Sequence, residues 1–126
     1  DIVVETLKST DEGVAFIVSE KDGTIYHAGD LNWWHWEGEP KSWNRNMEVN
    51  FKREIDSMRG RKIDIAFIPL DPRQEDAYYL GMNYFIKNVG ANEIYPMHFW
   101  GEPQIIDRYK SEYGGENIVS KAFFCK

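Results

Sequence analysis

Apolar residues fall into short runs of two different periods, and those periods lay out the chain. Residues 13–19, Gly13-Val14-Ala15-Phe16-Ile17-Val18-Ser19, are apolar at successive positions, which predicts a strand covered on both faces. Lys21-Asp22-Gly23-Thr24 carries the Asp-Gly step of a tight hairpin, because Gly accepts the positive φ that such turns need. A return strand over 24–28 follows, then Gly29-Asp30 and a tryptophan-rich loop over 31–43 broken by Gly38 and Pro40. From 44 to 58 the period changes. Met47, Phe51, Ile55 and Met58 recur at helical spacing between charged residues, and Gly60 supplies the stop.

The second half repeats this alternation. Residues 63–68 read as a strand ended by Pro69 and Pro72. A helix over 75–89 follows, with Tyr78, Met82, Phe85 and Val89 as its stripe and Gly90 as its stop. A strand over 93–97 runs into His98-Phe99-Trp100-Gly101, and Pro103 then suits the first turn of a helix bearing Ile105, Tyr109 and Tyr113. Residues 118–124 are expected to pair at a sheet edge. A further β-like run opens the chain at Asp1-Ile2-Val3-Val4-Glu5, without an initial Met, so a preceding segment is expected. Strand and helix in alternation predict an α/β fold, a mixed sheet with about three helices on one main face. Residues 1–126 show no repeat or linker and read as a single domain.

Charge and composition narrow the function classes. The net charge is −6 and the 15 basic residues are scattered, so the footprint of a nucleic-acid partner is missing. No apolar run approaches the roughly 20 residues that span a bilayer, and the first residues lack the regions of a signal peptide. No membrane partner is expected, and the expected compartment is the cytoplasm. Cys125, the single cysteine, fits that compartment as a free thiol. An aromatic fraction of 15% implies a thick core or an aromatic-lined cavity.

Candidate chemistry gathers at strand ends. Asp30 and His98 each follow the carboxyl end of an expected strand, where α/β sheets collect ligand-binding groups. An oxygen donor and a nitrogen donor suit Zn²⁺, Mn²⁺ or Fe²⁺, although two ligands do not complete a site. Spacing alone favours the plainer reading, in which Asp30 is a turn residue, His98 a rim residue, and the whole a non-catalytic α/β interaction module without metal. Asp71, Arg73 and Gln74 follow another strand end, as surface-turn residues or as part of a cleft rim. His27 is expected to pack beneath the loop.

A family resemblance shifts that balance. Thr24-Ile25-Tyr26-His27-Ala28-Gly29-Asp30-Leu31, then Ile68-Pro69, Asp76-Ala77 at a helix start, and Ile94-Tyr95-Pro96-Met97-His98-Phe99 together resemble the second half of metallo-β-lactamase superfamily hydrolases, closest to the bacterial lactonase-like and metal-dependent hydrolase group. The resemblance covers most of the chain. It implies half of an αββα sandwich, in which Asp30 bridges two metal ions and His98 binds one of them. The implied cofactor is a divalent metal, zinc first and manganese or iron as alternatives, which this half need not hold by itself. The implied partners are a small-molecule substrate and the missing amino-terminal half, because the family's His-x-His-x-Asp-His signature has no counterpart among His27, His35 and His98. This half alone is therefore expected to be silent. A homodimer or a clipped partner fragment is expected to cover the sheet face that the missing half would occupy. In the family arrangement the loop carrying Trp33, Trp34 and His35 borders the active-site mouth, where indole faces cradle a substrate and an imidazole orients it; loop packing is the commoner role for such tryptophans. Lactone, amide, phosphodiester and thioester substrates all fit the scaffold.

Overall fold

In a computed structural model, residues 1–119 are described. The expectations for Cys125 and for the end of the closing segment lie outside them. Five strands make one mixed sheet in chain order: β1 (Val3–Lys8), β2 (Val14–Glu20), β3 (Gly23–His27), β4 (Ile65–Pro69) and β5 (Glu93–Met97). The first three strands run antiparallel, and β3, β4 and β5 run parallel. Parallel neighbours need a crossover. Helix α1 (Lys41–Asp56) joins β3 to β4, α2 (Leu80–Asn88) joins β4 to β5, and α3 (Gln104–Tyr113) follows β5. Among the described residues the architecture is thus an α/β mixed sheet with three α-helices. Residue 118 adds a parallel bridge to Ile94.

The core lies between the helices and one face of the sheet. Ala15, Ile17, Tyr26, Ala66, Ile68 and Ile94 point to that face, and all are buried. Phe51 and Ile55 of α1 and Met82 and Phe85 of α2 close over them, with Phe85 stacked on Tyr26 at 5.4 Å and 13°. Each such side chain removed from water contributes about 1.5–3 kcal/mol.

The opposite face departs from expectation. Successive apolar residues in β2 predicted cover on both sides, yet among the described residues Phe16 is 42% exposed and Ile25 is 41% exposed. Register aligns Phe16, His27, Phe67 and Tyr95 across four strands on this open face. His27 lies here against Phe67, ring centroids 5.4 Å apart, and is exposed rather than packed beneath the loop.

Helix boundaries also move. α1 begins three residues before the apolar stripe becomes visible, because its first turn, Lys41-Ser42-Trp43, faces solvent. The single helix expected over 75–89 divides into a 3-10 segment, Pro72–Ala77, and α2, and the 3-10 segment is itself broken at Glu75, whose φ is 55°. Asp71 causes the early start by accepting a hydrogen bond from the Arg73 amide at 2.9 Å, with Pro72 pre-set at the first position.

Candidate metal and ligand site

Three parallel strands end on the same side of the sheet, so the residues after them meet there. β3 delivers Asp30, β4 delivers Asp71, and β5 delivers His98. Chain direction at Asp30 is set by Gly29, whose φ is 57° and whose absent Cβ would stand 3.0 Å from the Val14 carbonyl oxygen; Leu31 N–H then closes the turn on Ala28 O at 2.9 Å. His98 and Trp100 adopt left-handed backbone, φ 62° and 52°. Such conformations cost about 1–3 kcal/mol each in non-glycine residues and persist where surrounding contacts hold them.

Asp30 and His98 come together. His98 Nε2 lies 2.9 Å from Asp30 Oδ1, and both side chains are about one quarter exposed. On the other side of the ring, His98 Nδ1 is 3.8 Å from Asp71 Oδ2 and is buried without a hydrogen-bond partner.

Asp71 has the most engaged carboxylate in the region. Arg73 donates to it through Nε at 3.0 and 3.1 Å and through Nη2 at 2.6 Å, and Trp100 Nε1 donates at 3.1 Å. Burial, the largest single influence, pushes the carboxyl up, but the hydrogen bonds from Arg73 and Trp100 and the guanidinium charge together hold it below the ordinary carboxylate value. Arg73 is pinned over the Trp100 ring at 4.6 Å.

The tryptophan loop divides its side chains between the site and the core. Trp34 is buried, donates through Nε1 to Asp30 O at 2.9 Å, and presents its edge to His98 with centroids 5.7 Å apart. Trp36 stacks on Trp34. With Trp43, Arg73, Asp11 and His98 they line a cleft of about 190 Å³. Trp33 points the other way, against Phe51 and Tyr84, beneath Lys52 Nζ at 4.6 Å. The His35 ring reaches Glu37 at 3.3 Å, while its backbone N–H is held by Gln74 Oε1 at 2.8 Å.

Two of these roles were not evident in the sequence. Gln74, read as a rim or turn residue, is buried and ties the tryptophan loop to the turn after β4. Asp71 is a fully buried carboxylate at the heart of the site. An Asp-Pro pair after a strand reads as a turn or as part of a cleft rim, and only the fold reveals where its oxygens go.

Among the described residues, no group of three or more His, Cys, Asp or Glu side chains is placed to hold a metal ion. No described helix is long and apolar enough to cross a membrane. No family model matches the chain, and no curated protein sequence matches it. Among solved structures, the chain is similar to a Thermotoga maritima protein provisionally described as a Zn-dependent hydrolase of the metallo-β-lactamase superfamily. Identity is 14% and the TM-score 0.40, over 77% of this chain and 41% of that one. The chain thus spans about two-fifths of that protein's length, and so distant a likeness assigns no residue a role here.

Proposed function

We propose that this chain forms the carboxyl-terminal half of a metallo-β-lactamase-fold hydrolase of the lactonase-like branch, supplying Asp30 and His98 to a dinuclear metal site. The supporting observation is the 2.9 Å meeting of Asp30 Oδ1 and His98 Nε2 at the carboxyl ends of parallel strands. The donor set fits the implied group: a hard oxygen and an imidazole nitrogen suit Zn²⁺, Mn²⁺ or Fe²⁺, and both are within reach of one ion at ligand distances of about 2.0–2.2 Å. Acidic side chains outnumber the one guanidinium nearby: Asp71 pairs with Arg73, Asp11 lines the same cleft, and Asp30 meets His98. The remaining ligands come from the proposed missing half, which packs on the open sheet face.

A bound divalent metal would supply Lewis acidity and a water acid enough to ionise near neutrality. This chain's own residues prepare the place. Asp30 offsets positive charge, and its direction is fixed by the Gly29 turn. His98 presents Nε2 beside it. The Trp34 edge excludes water from one side of the imidazole, and the indoles of Trp34, Trp36 and Trp43 offer apolar walls to a small-molecule substrate.

The test is metal content and turnover in the intact natural protein. Asp30→Ala is expected to remove tight binding of the second metal and to lower kcat/KM by at least about 100-fold, the scale on which metal-ligand partners act. A variant that keeps both metals and full turnover would sink the assignment. One observation favours the rival, a metal-free interaction module: the described residues bring together fewer than three ligand side chains. That reading requires the purified intact protein to take up no zinc.

A further inference from the structure

We infer that Asp71 is a positioning residue for His98: it accepts the Nδ1 proton of the imidazole and so leaves the Nε2 lone pair facing Asp30 and free for a divalent cation. This inference rests on the hydrolase reading above.

The two ring nitrogens meet opposite situations. Nε2 lies 2.9 Å from Asp30 Oδ1. With no cation between them, Nε2 carries the proton and donates it to that carboxylate. A neutral imidazole has only one N–H, so Nδ1 then presents a lone pair toward Asp71 Oδ2, 3.8 Å away. That nitrogen is buried and lacks a hydrogen-bond partner. When a cation takes the Nε2 lone pair, the ring must hold its proton at Nδ1 instead. Nε2 releases one proton, Nδ1 gains one, and the imidazole stays neutral. The new N–H points at a carboxylate that needs an approach of only about 1 Å to reach hydrogen-bond distance. Nδ1 is therefore left unsatisfied in one tautomer, and in the other, the ligating form, that approach satisfies it.

Asp71 is built for more than capping a turn. A cap requires one acceptor for the Arg73 amide, whereas both carboxylate oxygens are engaged and the side chain is 0% exposed. Oδ2, the oxygen nearer Nδ1, also accepts from Trp100 Nε1 at 3.1 Å. That bond ties Trp100, two residues beyond His98, to the same carboxylate. Trp34 closes another side of the ring, so rotation away from Asp71 is obstructed.

The experiment uses the intact natural protein labelled with ¹⁵N-histidine and titrated with Zn²⁺ alone. Long-range proton–nitrogen spectra report which nitrogen of His98 is protonated and which is metallated. Expected are an Nε2–H form without zinc, and with zinc a metallated Nε2 and a slowly exchanging Nδ1 proton. Asp71→Asn is expected to weaken zinc affinity by about 10–100-fold. If Asp71→Asn fails to fold, the wild-type spectra still decide. Zinc on Nδ1, or wild-type zinc affinity in folded Asp71→Asn, overturns the role of Asp71 and leaves the hydrolase reading standing. Absence of zinc at His98 in the wild-type protein removes both.

Discussion

The two faces of this sheet are written in nearly the same residues and sit in different surroundings. Along β2, Ala15 and Ile17 are buried under the helices, while Val14 and Phe16, on alternate positions of the same strand, are exposed. Along β3, Tyr26 is fully buried against Phe85 and its neighbours Ile25 and His27 are exposed. Apolar character thus records what a position is suited to touch, and burial records what touches it. The open face carries an aromatic row, with Phe67 stacked on Tyr95 at 5.4 Å and tilted against His27. The proposed two-half hydrolase would use this row as its docking face, the usual role of a large exposed apolar patch.

The largest contrast between the faces should come from truncating one aromatic ring on each. Phe85→Ala removes the ring stacked on Tyr26 in the closed core and is expected to cost about 3–5 kcal/mol. Urea unfolding followed by circular dichroism measures it. A loss below about 1 kcal/mol would mean that the helical layer is not packed as described.

Alkaline titration separates the covered side next. Burial raises Tyr26 and Tyr78 well above the ordinary phenol value, and burial pushes Tyr109 up to about 12. A raised folded-state value means that the unfolded chain gives up its proton first, from about pH 10. The stability linked to Tyr109 is therefore intact below pH 10 and is lost as pH rises from 10 to about 12. The urea midpoint should fall through that interval. A midpoint that stays level from pH 10 to about 12 would contradict burial of Tyr109.

Much of the covered side was legible in the sequence because it follows period and punctuation. The stripe Tyr78, Met82 and Phe85 is buried, and Gly60 and Gly90 stand just past the helices with φ of 82° and 80°. Other features depend on contacts between segments that no local pattern encodes. The early start at Pro72 follows from the Asp71 cap. Gln74 is buried because a loop from elsewhere in the chain offers it an amide. The strand-end rule picked out Asp30 and His98 as positions, but their 2.9 Å approach depends on β3, β4 and β5 being parallel neighbours. Asp71, between them in the sheet order, looked like a turn residue for the same reason.

A smaller effect tests how the site loop is fastened to the covered side. A Cβ at Gly81, in α2, would stand 1.9 Å from Asn32 Oδ1 and 3.2 Å from the Trp33 backbone nitrogen. Asn32 is buried, with its backbone tied to Thr10 at 2.7 and 3.0 Å, so only its side chain can yield. Gly81→Ala would gain helix propensity, worth about 1 kcal/mol, against an overpacking cost of about 1–3 kcal/mol. The expected net is a loss of up to about 2 kcal/mol, with a change in near-ultraviolet tryptophan signal. A gain in stability with an unchanged spectrum would show that the loop sits farther from α2.

The smallest effect on the chain itself should carry the most information about the open face. Phe16→Ser replaces a ring that is 42% exposed, so its removal should change the stability of the isolated chain by no more than about 0.5–1 kcal/mol, near the range of surface substitutions. If the face is a docking surface, the same substitution should act strongly on whatever packs there, since aromatic anchors dominate interface energetics. In the intact natural protein it should therefore lower the melting temperature far more than in residues 1–126 alone. Equal effects in both would mean that Phe16 meets solvent in the whole molecule, and the open face would lose its proposed role as the seam between two halves.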